Sequence, residues 1–128
     1  MTIILLASII ASQYSPGMMD LVVANRQSGN AWVHLPDDLP VVDGYIAVLN
    51  CDQLGETLWI KPDGMNVWEK HLIVDCSRPP RTDGTYEWME DNNIGIEVSY
   101  ETAVRWGAVG RGIKVHIGFA LGECENER

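Results

Sequence analysis

Glycine and proline break the apolar runs of this chain at short intervals: Pro16-Gly17, Pro36, Pro40, Gly44, Gly55, Pro62-Asp63-Gly64, Pro79-Pro80, Asp83-Gly84, Gly107 and Gly110. Between these stops Val, Ile, Thr, Trp and Tyr recur, residues whose branched or aromatic side chains fit a pleated surface. Many short strands joined by turns are what such a pattern allows, so the chain reads as mainly β. Its 128 residues suffice for one core and not comfortably for two, and a single domain is expected. With 46% hydrophobic and 21% charged residues, disorder is excluded as the main reading. A net charge of -9 argues against any partner gripped through phosphates, so no nucleic acid is expected, while uncharged or cationic partners stay open.

Residues 2–11 are strongly apolar. No Lys or Arg precedes the run and no clear small-x-small cleavage site follows it, whereas Ile3, Ile4, Ile9 and Ile10 suit a strand. Residues 1–10 are therefore either a targeting segment or part of a first strand, and they are too short for a stable membrane span. The domain is placed at residues 11–121, followed by an acidic tail at 122–128 that carries Cys124. Residues 18–26 are ambiguous, because a short apolar run does not separate a buried strand from a helical turn. Residues 44–51 read as a buried strand, and 56–61 with 66–76 read as a hairpin about Pro62-Asp63-Gly64-Met65. One short helix is predicted over residues 100–106, with Ser99 as N-cap, Glu101 in the first turn and Gly107 as the stop. Residues 112–121 close the domain as a strand carrying Ile113, Val115, Ile117, Phe119 and Leu121 on one face.

The stretch His71-Leu72-Ile73-Val74-Asp75-Cys76-Ser77 delivers a carboxylate and a thiol to a strand end. Strict alternation puts Leu72, Val74 and Cys76 on one face and His71, Ile73 and Asp75 on the other. Ile96-Glu97-Val98 repeats the arrangement, and the two strands are expected to bring Asp75 and Glu97 into one groove. The structural alternative for Asp75 is a pairing with Arg78, Arg81 or loop amides. His34, His71 and His116 lack paired ligand spacing, so no metal is expected. Residues 107–112 follow a helix and precede a strand, the reverse of a phosphate-cradling loop, and read as a turn.

The order of these motifs resembles the double-psi β-barrel of the rare-lipoprotein-A-like group, which includes the three-aspartate domains of cell-wall lytic enzymes and the first domain of expansins. Ala11-Ser12-Gln13-Tyr14-Ser15-Pro16-Gly17 is similar to the Ala-Thr-x-Tyr-Thr-Pro-Gly opening of three-aspartate domains. Val74-Asp75-Cys76 matches a Val-x-Asp-Cys strand end with one residue fewer. Ile96-Glu97-Val98-Ser99, Thr102-Ala103-Val104 and Gly112-Ile113-Lys114-Val115 follow the later strand, helix and strand. The chain departs from the pattern with Glu97 in place of aspartate, and with Asn50-Cys51-Asp52 where those domains carry Val-Asp-Pro.

The resemblance implies a six-stranded double-psi β-barrel with one short helix. It implies binding of cell-wall glycan, peptidoglycan above all, and cleavage of the lytic-transglycosylase type with Asp75 as general acid/base. That reaction manages with one carboxyl group because a hydroxyl of the sugar replaces water, and Glu97 is the candidate second carboxylate. Tyr14, Trp68 and Trp88 are candidate platforms for sugar rings. Asp52 and Asp20 are weaker polar candidates, while Trp32, Trp59 and Trp106 read as core. Cys51 and Cys76 end two strands of the same barrel and are either bridged or two reduced thiols, the odd count of three leaving both open. The implied location is extracytoplasmic: secreted, in the cell envelope or on a virion. The rival readings are a non-catalytic expansin-like binder or structural module of an envelope or phage particle, and an intracellular barrel with reduced thiols. No cofactor is expected, and nothing in the sequence specifies an oligomeric state.

Overall fold

The computed structural model of the chain describes residues 2–29, 34–76, 87, 91 and 94–121. Six strands carry the fold: β1 (Ile3–Gln13), β2 (Gly44–Val48), β3 (Thr57–Pro62), β4 (Glu69–Cys76), β5 (Ile94–Val98) and β6 (Ile113–Ala120). Hydrogen bonding closes them in the order β1-β5-β2-β4-β3-β6, with β6 pairing back onto β1. Two pairs are parallel, β1 with β5 and β2 with β4, and the other four are antiparallel. The apolar residues 3–10 belong to β1, the longest strand.

Every strand contributes to the interior. Ala11, Ile46, Val48, Ile60, Ile73, Ile96, Val98, Val115 and Ile117 form one buried cluster together with Ala103, Trp106 and Ala108. The β3–β4 hairpin turns at Pro62, Asp63 and Gly64, where Met65 N–H donates to the Pro62 carbonyl at 3.1 Å and Gly64 adopts φ 83°, which glycine reaches without a Cβ clash.

One short helix was too few. The structure has α1 (Met18–Ser28) besides α2 (Tyr100–Arg105) and a 3-10 turn at Cys51–Gln53, and Glu87 and Asp91 are also helical. The α2 N-cap is Ser99, whose side chain accepts a hydrogen bond from Thr102 N–H. The ambiguous run 18–26 is helical because Met19, Val23 and Arg26, at helical spacing, are its buried face. Met19 and Val23 pack with Leu35, Leu72 and Val74 over the outside of the sheet. Leu121, placed on the inner face of the last strand by alternation, lies past its end and is exposed.

A second network fixes the barrel at the start of β4. Glu69 accepts hydrogen bonds from His71 Nε2 at 2.9 Å, Arg105 at 2.6 Å and Trp106 Nε1 at 3.2 Å, tying α2 to β4. His71 is fully buried and its Nδ1 has no partner among the described residues. Gly44 permits this packing: a Cβ there would come within 2.6 Å of Thr102 Oγ1 and 2.9 Å of the His71 ring.

Cys51 and Cys76 are joined by a disulfide across a sequence separation of 25, tying the turn after β2 to the end of β4. By loop-closure entropy, a bridge of this span stabilises by roughly 3 kcal/mol. The Cys51→Ala/Cys76→Ala double variant is expected to lose about that much in urea denaturation, with near-wild-type stability showing that the bridge constrains little.

Candidate functional site

The site is set by register. Ser12 of β1 is opposite Glu97 of β5, Glu97 is opposite Ala47 of β2, and Ala47 is opposite Asp75 of β4. One row across four strands thus places the two carboxylate residues on either side of a fully buried alanine. Strands lie about 4.8 Å apart, so the two Cα atoms are separated by roughly 10 Å.

Asp75 reaches this row through an irregularity. The β2–β4 pairing passes from Ile46 opposite Ile73 to Ala47 opposite Asp75, which leaves Val74 as an extra residue in β4. Strict alternation put Asp75 on the face of Ile73; the extra residue reverses that. Ile73 stays in the barrel interior with Ile46, while Asp75 emerges on the outer side with Val74, under α1.

There Asp75 is 6% exposed, and both its oxygens are engaged. Arg26 Nη2 donates to Oδ1 at 2.6 Å and the Tyr14 hydroxyl donates to Oδ2 at 2.5 Å. Tyr14 is itself held by its backbone N–H, which donates to the Val98 carbonyl at 2.9 Å. Asp75, Glu97, Gln13, Tyr14, Ser15, Met18 and Val22 line a cleft of about 310 Å³. One wall is apolar, from Met18, Val22 and the Tyr14 ring; the other carries two carboxylates and an amide. Such a division suits a ligand with one apolar and one hydroxylated face.

Tyr14, Asp75 and Glu97 therefore come together, and the other expected site residues do not join them. Asp52 is exposed in the 3-10 turn and does not line the cleft. Asp20 lies on the far side of α1, in a separate cleft with Asp43, Gly44, Glu101 and Arg105. Trp68 is at the β6 side of the barrel, its ring edge 3.3 Å from where a Cβ on Gly118 would sit. Trp88, like Trp32, Arg78, Arg81 and Cys124, lies outside the described residues.

Arg26 was the omission. Its place at i+7 from Met19 and i+3 from Val23 puts it on the buried stripe of α1, and a guanidinium on an apolar stripe signals a buried anionic partner. Among the described residues no group of three His, Cys, Asp or Glu is placed to hold a metal ion, and no helix is long and apolar enough to cross a membrane.

No protein-family model matches the chain, and no curated protein matches it. The likeness to the rare-lipoprotein-A-like group thus rests on the order of short motifs in the sequence.

Proposed function

We propose that the chain is a double-psi type barrel that binds cell-wall glycan, most specifically peptidoglycan, in the Asp75–Glu97 cleft and cleaves it by lytic transglycosylation. The observation that carries this reading is the row that brings Asp75 and Glu97 from separate strands into one cleft with Tyr14. Closure of six strands with two parallel pairs supports the barrel type. The Cys51–Cys76 bridge supports an oxidising, extracytoplasmic location.

In this mechanism the Asp75 carboxylate takes the proton of the sugar hydroxyl that closes on the anomeric carbon and passes it to the glycosidic oxygen as the bond between that oxygen and the anomeric carbon breaks. Tyr14 lines the cleft and Arg26 does not, so an entering sugar displaces the phenol from Oδ2 while the guanidinium keeps the carboxylate oriented. Glu97 orients the sugar from the other side of Ala47.

A second reading, a glycan-binding barrel without cleavage, is favoured by the engagement of both Asp75 oxygens. Purified sacculi separate the two. Cleavage predicts soluble muropeptides from the wild type and a fall of roughly 10²-fold or more in Asp75→Asn. Equal release by that variant removes Asp75 from the chemistry, and retention on sacculi with no release leaves the binding module.

A further inference from the structure

Away from the Asp75 cleft, three side chains from distant parts of the chain form a hydrogen-bonded series. Ser8 of β1 and His116 of β6 are cross-strand partners, and Ser8 Oγ lies 2.8 Å from His116 Nδ1. On the other side of the ring, His116 Nε2 lies 3.1 Å from Oδ1 of Asp63. Asp63 is fixed in the turn after β3 by its backbone N–H, which donates to the Lys114 carbonyl at 2.9 Å. A carboxylate only accepts, so Nε2 carries the imidazole proton, Nδ1 presents its lone pair, and the Ser8 hydroxyl donates to it. Hydroxyl, base and orienting carboxylate stand in the sequence that activates a serine, with the two ring nitrogens exchanged relative to serine proteases.

The surroundings suit a reaction. Ser8 is exposed, so an acyl group can reach it, whereas the His116 side chain is only 19% exposed and is held from both sides. Lys61, the cross-strand partner of His116 on β3, lies across His116 from Ser8, and its Nζ donates to the Met65 carbonyl at 3.4 Å. Gly118, two residues beyond His116 on the same face, is covered by the edge of the Trp68 ring, an apolar wall for the rest of the substrate.

We propose that Ser8, His116 and Asp63 form a nucleophilic triad that takes an acyl group from small carboxylic esters. Ser8 Oγ bonds to the ester carbonyl carbon as its proton passes to His116 Nδ1. The bond from that carbon to the alcohol oxygen then breaks, and the alcohol leaves with the proton. Water, giving its proton to the same nitrogen, releases the acid and restores Ser8. Asp63 acts through His116, as a positioning residue.

The full chain is treated separately with 4-nitrophenyl acetate and with an alkyl fluorophosphonate, and the adducts are mapped by peptide mass spectrometry. The expected result is a single fluorophosphonate adduct on Ser8, absent in Ser8→Ala and formed roughly 10²-fold more slowly in His116→Gln. Asp63→Asn should slow labelling less and move its pH dependence, which a merely structural role would not. Acetylation confined to lysines, no adduct on Ser8, or equal labelling of a folded His116→Gln overturns the proposal. Should His116→Gln not fold, Asp63→Asn decides, since the Asp63 side chain is 57% exposed.

Discussion

Arg26→Met is expected to destabilise the protein by about 3–5 kcal/mol, because it strands a buried carboxylate. Arg26 and Asp75 are each 6% exposed and meet at 2.6 Å, so neither charge has bulk water to fall back on. Methionine keeps much of the unbranched stem that packs beside Met19 and Val23 on α1, so the loss is electrostatic more than steric. Removing both charges should cost less than removing one. The Arg26→Met/Asp75→Asn double variant replaces a buried ion pair by groups that need little solvation, and is expected to recover a large part of the loss. Urea denaturation of the wild type, the two single variants and the double variant measures the coupling. A cost below about 1 kcal/mol for Arg26→Met, or strict additivity in the double variant, would show that the pair does not hold α1 to β4.

This pair also marks where sequence reasoning stopped. The β content was legible because glycine and proline punctuate the apolar runs, and the Pro62-Asp63-Gly64 hairpin and the Ser99 cap are local devices whose residues determine their own geometry. The run from Met18 to Arg26 was not, since the same apolar residues suit a strand or a helix until a partner surface is known, and that surface, Leu72 and Val74, is some fifty residues away. Asp75 and Glu97 could be named from their strands, but their meeting depends on the extra residue at Val74, which no local pattern announces. Alternation on its own puts Asp75 inside the barrel beside Ile73. Trp68 shows the same limit: an aromatic residue ahead of β4 can be recognised, yet only the order of the closed sheet decides that it covers Gly118, away from the carboxylates.

Glu69 offers a test of the barrel that does not involve the cleft. Its carboxyl is lowered from 4.5 to about 2: burial acts to raise it, and the hydrogen bonds from His71, Arg105 and Trp106 with the Arg105 charge outweigh that. The unfolded chain therefore takes up the proton first as pH falls. The stabilisation is fully present above about 4.5 and is lost on descending to about 2, with a slope of at most about 1.4 kcal/mol per pH unit. Water screens part of the effect, since the Arg105 side chain is 42% exposed. Glu69→Leu leaves the His71 and Trp106 N–H groups buried without an acceptor and is expected to cost about 3–5 kcal/mol at neutral pH. Denaturation midpoints from pH 5 to pH 2 should fall less steeply in Glu69→Leu than in the wild type. Parallel pH profiles for the two proteins would show that Glu69 titrates alike in the folded and unfolded chains, and would break the proposed lock between β4 and α2.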